Sequence, residues 1–257
     1  HTVCLDLEDN IDVIFIIDPR KDKYNTIGLL EVIEYKKKYP NTKIIHRINE
    51  NDVKRTNSIY IEDLILKTMT IADSIVFVSQ WLRDYYHKKY DLSNITATKN
   101  VILNGVDTAI YKPNPLKIPS RKIRVITHHW SSNYLKGFSV YHYLDRYIKE
   151  NPDCGIDFVY IGNYNYEGYT PERTRIVPPQ NNNVISQLLS NCDVYLTATQ
   201  FEPGAMHYLE AMACGLPIVY RSNGGGTEEV CKDCGIMFDK VEDVIGTIMK
   251  CFFNREP

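Results

Sequence analysis

The chain has 257 residues, 44% of them hydrophobic and 24% charged, the proportions of an ordinary globular protein with room for one or two domains. Its formal net charge is only -2 and its lysines are spread, so the electrostatic footprint that binding nucleic acid demands is missing. No apolar run approaches the roughly 20 residues that cross a bilayer, and no secretory signal opens the chain, so a cytoplasmic location is expected. Seven cysteines, odd in number and scattered, make a poor disulfide framework, and reduced thiols are expected. The first residue is His1 rather than a methionine, which fits a processed or excised piece of something longer.

Short β-branched runs alternate with longer amphipathic ones, the pattern of parallel α/β units. In the first part, strands are expected at Ile11–Asp18, Thr42–Ile48, Ser74–Ser79 and Asn100–Asn104. Helices are expected at about Thr26–Tyr39, Ile59–Ala72 and Gln80–Tyr90, with Asp73 and Ser79 as turn or cap residues. The stretch Tyr111–Lys122 carries three prolines without periodicity and reads as a linker, dividing the chain into domains 1–113 and 114–257.

The second part resumes the alternation with a strand at Ile123–His129, a helix at about Gly137–Lys149 and a strand at Ile156–Gly162. A helix near Val184–Ser190, a strand at Asp193–Thr199 and a helix at Met206–Cys214 come next. Strands at Pro217–Arg221 and Gly235–Phe238 and a closing helix at Val241–Phe253 complete it. The fold class expected is α/β, with two Rossmann-like halves facing each other. In open sheets of this kind ligands lie beyond the carboxyl ends of the strands, so the loops after strands carry the most weight.

One such loop holds "FEPGAMHYLEAMACGLPIV", Phe201–Val219, with Glu202 and Glu210 on either side of a helix start. Gly204 and Ala205 put small residues at that start, where unpaired N–H groups and the helix dipole favour an anion such as phosphate. Glu210 lies about one turn inside, and helical side chains lean toward the N-terminus, so its carboxylate reaches back toward the same place. A carboxylate repels phosphate, so its natural partner is a pair of sugar hydroxyls. Hydroxyls flanking a diphosphate describe a nucleotide sugar, although one such pair of acids also reads as an exposed helix acid and a loop acid.

The same stretch resembles the E-x7-E motif of retaining GT-B glycosyltransferases, in particular glycosyltransferase family 4. "VILNGVDTAIYKP" (Val101–Pro113), "NYLKGF" (Asn133–Phe138), "VYIGN" (Val159–Asn163) and "GGGTEEV" (Gly224–Val230) resemble further landmarks of that family, in its order. The resemblance implies that Glu202 contacts donor-sugar hydroxyls, that Glu210 contacts the ribose, and that the backbone around Gly204, Ala205 and Met206 holds the diphosphate. It gives Lys136 the role of a cation for the leaving diphosphate, and Val177 and Pro178 the place of the nucleotide base. His46 would match a histidine near the transferred sugar, with Asn49 and Asp52 on the same loop; a surface loop carrying a hydrogen-bonded histidine is the other reading of that stretch.

The sequence departs from the family in three ways. Trp130 stands where an arginine is usual ahead of Lys136, leaving His128, His129, Ser131 or Ser132 to supply hydrogen bonds. Gly204 comes one place early, and no glycine-rich loop precedes the first strand, so the first domain looks shortened. "CKDC" (Cys231–Cys234) has metal-ligand spacing but no second ligand pair and reads as structural.

The resemblance implies a metal-independent enzyme that moves a sugar from a nucleotide-diphosphate sugar to a glycan, lipid or other acceptor, with retention of configuration. The sugar nucleotide is a co-substrate, and no other cofactor is expected. "YKKKY" (Tyr35–Tyr39) leaves room for peripheral contact with an anionic membrane. A sugar-nucleotide epimerase of the same fold and a non-catalytic nucleotide-sugar-binding subunit are the rival readings.

Overall fold

The structure is a computed structural model that describes residues 6–22, 25–54 and 61–254. It divides into two compact units, His1–Leu103 and Asn104–Pro257. His1, Cys4 and the expected helix start at Ile59 lie outside the described residues.

In the first unit β1 (Val13–Ile16), β2 (Lys43–Ile48), β3 (Ser74–Phe77) and β4 (Thr98–Val101) form a parallel sheet in the order β1-β2-β3-β4. Helices α1 (Leu29–Lys38), α2 (Ile61–Met69) and α3 (Gln80–Lys89) fill the crossovers. Ser79 caps α3 as expected, its Oγ accepting the Leu82 N–H at 3.0 Å. Right-handed crossovers between consecutive neighbours put every helix on one face. Accordingly Val32 of α1, Ile65 of α2 and Leu82 of α3 share a single core with Ile14, Ile44, Ile75 and Phe77. On the opposite face of β1, Val13 and Phe15 stay about half exposed, at 50% and 51%.

The second unit contains β5 (Ile123–His129), α4 (Phe138–Glu150), β6 (Ile156–Gly162), β7 (Arg175–Val177), α5 (Asn182–Ser190) and β8 (Val194–Thr197). Beyond these come α6 (His207–Ala213), β9 (Ile218–Arg221), α7 (Gly226–Cys231), β10 (Gly235–Phe238) and α8 (Val244–Phe253). Its parallel sheet runs β10-β9-β8-β5-β6-β7, so the strand order reverses between β5 and β8. Both faces are covered: Val125, Phe138, Tyr160, Leu196 and Ile248 pack on one side, and Ile126, Tyr195, Tyr208 and Ile218 on the other. This burial on both faces is why β8 reads as a nearly continuous apolar run, Val-Tyr-Leu, while β5 buries Thr127, His128 and His129 beside its Ile and Val residues. The segment ahead of β5 packs with this unit, Tyr111 being buried and Ser186 Oγ donating to the Ile110 carbonyl at 2.7 Å.

Candidate functional site

The reversal between β5 and β8 is the topological switch point, where an open parallel sheet offers a crevice. The two strands pair only through Val125 with Val194 and Ile126 with Tyr195, although β5 continues to His129 and β8 to Thr197. By contrast, β5 and β6 stay in register from Ile123 to His129. Beyond Ile126 the carboxyl ends of β5 and β8 part, and the residues on the loops after them converge there.

Lys136 sits on the loop after β5. Residues Tyr134–Lys136 form one 3-10 turn, capped by Asn133, whose Oδ1 accepts the Leu135 N–H at 2.8 Å. Gly137 then lets the chain enter α4 with φ +104°, a conformation side chains other than glycine's rarely adopt. A Cβ at this position would stand 2.4 Å from the Ala198 Cβ, so the turn can approach β8 only because the residue is glycine. Gln200 N–H donates to the Leu135 carbonyl at 2.9 Å and ties the β8 loop to the same turn.

Glu202 lies on that β8 loop, buried at 3% exposure. Its backbone is pinned to the glycine-rich loop after β9: Glu202 N–H donates to the Gly224 carbonyl at 3.2 Å, and Gly226 N–H donates to the Glu202 carbonyl at 2.7 Å. Phe201, just before it, holds a left-handed φ of 53°, a costly conformation for a bulky residue of the kind found where a fixed backbone path matters. The Glu202 carboxylate forms a buried ion pair with the Lys136 ammonium. Removing either partner of such a pair leaves an uncompensated charge, at a cost of about 3–5 kcal/mol. The sequence separated these two groups into independent roles; the fold makes each the counter-ion of the other.

Glu210, in the first turn of α6, accepts a hydrogen bond from His128 Nε2 at 2.6 Å. His128 ends β5 in a buried cluster: its Nδ1 lies 3.2 Å from the Tyr195 hydroxyl, and that hydroxyl lies 3.1 Å from His207 Nδ1. The Tyr111 hydroxyl stands close to Glu210, and burial first, then the Glu210 charge, pushes its pKa up. The neighbouring His129 turns into the packing between sheet and α4, its Nε2 2.7 Å from the Tyr141 hydroxyl.

The structure also places the remaining expected residues. Gly204 and Ala205 are half-buried and Met206 exposed in the loop before α6, which starts at His207. Asn104, from the family-like "NGVD" stretch, donates to the Gly204 carbonyl at 2.6 Å and fixes that loop. Ser131 is exposed, its Oγ accepting the Asn133 N–H at 3.2 Å. Val177 ends β7 and pairs with Ile161, and Pro178 is exposed just beyond it. Cys231 is buried while Cys234 is exposed with its Sγ toward Met212, so the pair shares no common site. Among the described residues no group of three or more His, Cys, Asp or Glu side chains is arranged to hold a metal ion, and no helix is long and apolar enough to cross a membrane.

His46 falls in a strand, as the expected run Thr42–Ile48 has it, and the alternative of a surface loop with a hydrogen-bonded histidine is overturned. It lies within β2, flanked in register by Ile16 and Ile75 on the helix-covered face, and is fully buried. Neither ring nitrogen has a hydrogen-bond partner among the described residues, and burial pushes its pKa down to about 4. The loop acid Asp52, beyond β2, instead organises α2, with its Oδ1 accepting the Ile61 N–H at 2.9 Å.

Two groups around the site gave no sequence signal. Asp145, fully buried within α4, accepts from the Tyr169 hydroxyl (2.6 Å), from the N–H groups of Glu172 (3.0 Å) and Arg173 (2.9 Å), and from the Thr174 hydroxyl (2.6 Å). Burial disfavours its charge, but the Thr174 and Tyr169 hydroxyls and these N–H groups outweigh it and hold the carboxyl below its usual range. Asp145 thereby fastens the loop that leads into β7. Tyr195, an apolar strand position by pattern, supplies the hydroxyl at the centre of the histidine cluster.

Residues 167–249 match the family model described as glycosyl transferases group 1. No curated protein matches the chain. Among solved structures, it is similar to the sucrose-phosphate synthase from Thermosynechococcus elongatus, with a TM-score of 0.74 at 13% identity over 95% of this chain and 65% of that one. The E. coli trehalose-6-phosphate protein bound with UDP-2-fluoro glucose gives a TM-score of 0.71 at 14% identity, over 97% of this chain and 67% of that one. The pneumococcal O-GlcNAc transferase GtfA, in complex with UDP and GlcNAc, gives 0.66 at 13% identity, over 94% and 50%. The chain therefore spans 65% of the sucrose-phosphate synthase and half of GtfA. It has the α/β fold of GT-B glycosyltransferases, and its residues 167–249 carry the glycosyl transferases group 1 signature.

Proposed function

We propose that the chain is a retaining glycosyltransferase of the family 4 type, which takes a sugar from a nucleotide-diphosphate sugar and gives it to a glycan or lipid-linked acceptor. The observation that carries this reading is a pair of buried contacts after β5: Lys136 with Glu202 of the β8 loop, and His128 with Glu210 in the first turn of α6. One cation and two carboxylates at a switch point suit a diphosphate flanked by hydroxyl groups. The similar structures bound with UDP-2-fluoro glucose or with UDP and GlcNAc support a uridine-type donor.

As the bond between the sugar and the phosphate breaks, negative charge grows on the leaving oxygen, and the Lys136 ammonium stabilises it more than it stabilises the ground state. Glu202 has two tasks in this scheme: it accepts hydrogen bonds from donor-sugar hydroxyls and holds the Lys136 ammonium in place. Glu210 accepts from the ribose. The acceptor attacks from the face of the leaving group and gives its proton to the departing phosphate oxygen. Lys136 does the work a divalent metal does elsewhere, which makes the proposed reaction metal-independent. The loop Gly204–Met206 and the β7 end at Val177 and Pro178 complete the donor site, while the buried His46 takes no part in it. Work in the cytoplasm, with at most peripheral membrane contact, completes the proposal.

Incubation with UDP-, GDP- and ADP-sugars and candidate acceptors tests it. Free nucleotide together with a product whose anomeric configuration matches the donor supports the reading. An isomerised donor would make the chain an epimerase, and binding without turnover a non-catalytic subunit; either result overturns the proposal.

A further inference from the structure

The histidine cluster beside Glu210 has a direction. An ionised carboxylate only accepts hydrogen bonds, so at 2.6 Å His128 Nε2 must carry the proton that reaches Glu210 Oε2. With Nε2–H committed to Glu210, Nδ1 is free to accept, and the Tyr195 hydroxyl lies closer to it, at 3.2 Å, than to its other acceptor, the His128 carbonyl at 3.4 Å. With its proton so committed, the Tyr195 oxygen accepts from His207 Nδ1 at 3.1 Å and from the His128 backbone N–H at 3.3 Å. Hydrogen-bonding contacts thus link His207, Tyr195, His128 and Glu210 in one run. His128 and His207 are buried at 7% and 8% exposure and Tyr195 is fully buried, so little water competes for these bonds. The run joins the first residue of α6 to a carboxylate one turn further on.

We infer that His128 is a positioning residue: it holds one oxygen of Glu210, so that the other faces the ribose hydroxyls in a fixed orientation, while Tyr195 and His207 set the tautomer that lets it do so. This rests on the proposed nucleotide site and adds to it the group that gives Glu210 its aim. A carboxylate held at one oxygen by a buried ring loses less freedom when the other accepts a hydroxyl, so hydroxyl recognition should depend on a ring that touches no ligand.

The test compares two probes on the full chain, a nucleoside diphosphate and its 2′,3′-dideoxy analogue, by calorimetry, using whichever of UDP, GDP or ADP binds best. Wild-type protein should prefer the hydroxylated probe by about tenfold or more, the range for a hydrogen bond to a charged group. His128→Ala should remove most of that preference while changing affinity for the dideoxy probe by no more than roughly twofold. His128→Gln, whose amide can donate from nearly the same place, should keep the preference. Equal weakening of both probes by His128→Ala, or equal behaviour of the Ala and Gln variants, would overturn the positioning role. Should His128→Ala fail to fold, Tyr195→Phe keeps the ring's bulk and removes only the hydroxyl, and an unchanged preference in that variant overturns the inference. If wild-type protein binds none of the three diphosphates, the nucleotide-site reading falls, and the inference falls with it.

Discussion

The two sheets are made of the same β-α units and differ in where the chain turns back. In the first unit each strand is laid beside the one before, every crossover goes the same way, and all described helices lie on one face. In the second unit the chain returns to the middle of the sheet after β7 and grows outward on the other side of β5, which buries both faces and opens the ends of β5 and β8. The polar chemistry follows the topology. The first unit buries His46 in its apolar core without a hydrogen-bond partner among the described residues, whereas the second buries His128 with Glu210 on one side and Tyr195 on the other. His46 lies among apolar side chains, while His128, at the end of β5, meets polar side chains from α6 and β8.

Four measurements bear on this contrast. The largest effect is expected at the ion pair of the second unit: Lys136→Ala should cost about 3–5 kcal/mol of stability in denaturant melts by stranding Glu202. Maximal turnover should also fall by roughly two orders of magnitude, more than donor affinity does. Replacing both partners, with Lys136→Met and Glu202→Leu together, should recover most of the stability and none of the activity. A double variant as unstable as the single one would contradict the pairing.

Next comes the lone histidine of the first unit. Its folded pKa of about 4 lies below the 6.5 of an unperturbed ring, so between these values the unfolded chain binds the extra proton. Stability should be complete above pH 6.5 and fall as the pH drops toward 4, by about 3 kcal/mol in all. His46→Met should flatten that part of the profile; thermal melts across this range that match wild type would place the titration elsewhere.

A smaller loss is expected at Asp145 in the second unit, where Asp145→Ala strands the N–H groups of Glu172 and Arg173 and should cost about 2 kcal/mol, read from the denaturation midpoint. The smallest change belongs to the bare face of the first sheet. Phe15→Ser should alter stability by no more than about 0.5 kcal/mol, as at any exposed position. A loss near 3 kcal/mol, the size of a core truncation, would mean that this face is covered.

Much of this architecture was legible in the chain. β8 stands in the sequence as Val-Tyr-Leu because both its faces are buried, while β5 and β6 show through their Ile, Val, Phe and Tyr residues bounded by turn residues. β7 and α7 escaped notice since three and six residues are too short to display a period. The site was legible only as a set of separate residues. Lys136 and Glu202 are 66 positions apart, and neither announces the other as its counter-ion. The strand holding His46 was legible, but not its surroundings: one histidine in "KIIHRI" gives no sign of which face it takes until the β2 register sets it between Ile16 and Ile75. Asp145 reads as an ordinary helix acid; its partners come from a loop beyond the next strand.

The most direct measurement is a crystal structure of the chain with a bound nucleoside diphosphate. The diphosphate should lie within hydrogen-bond reach of Lys136 Nζ and a ribose hydroxyl within reach of Glu210, at the parting ends of β5 and β8. A nucleotide seated anywhere else, with the Lys136–Glu202 pair untouched by the ligand, would contradict the assignment of this switch point as a donor site.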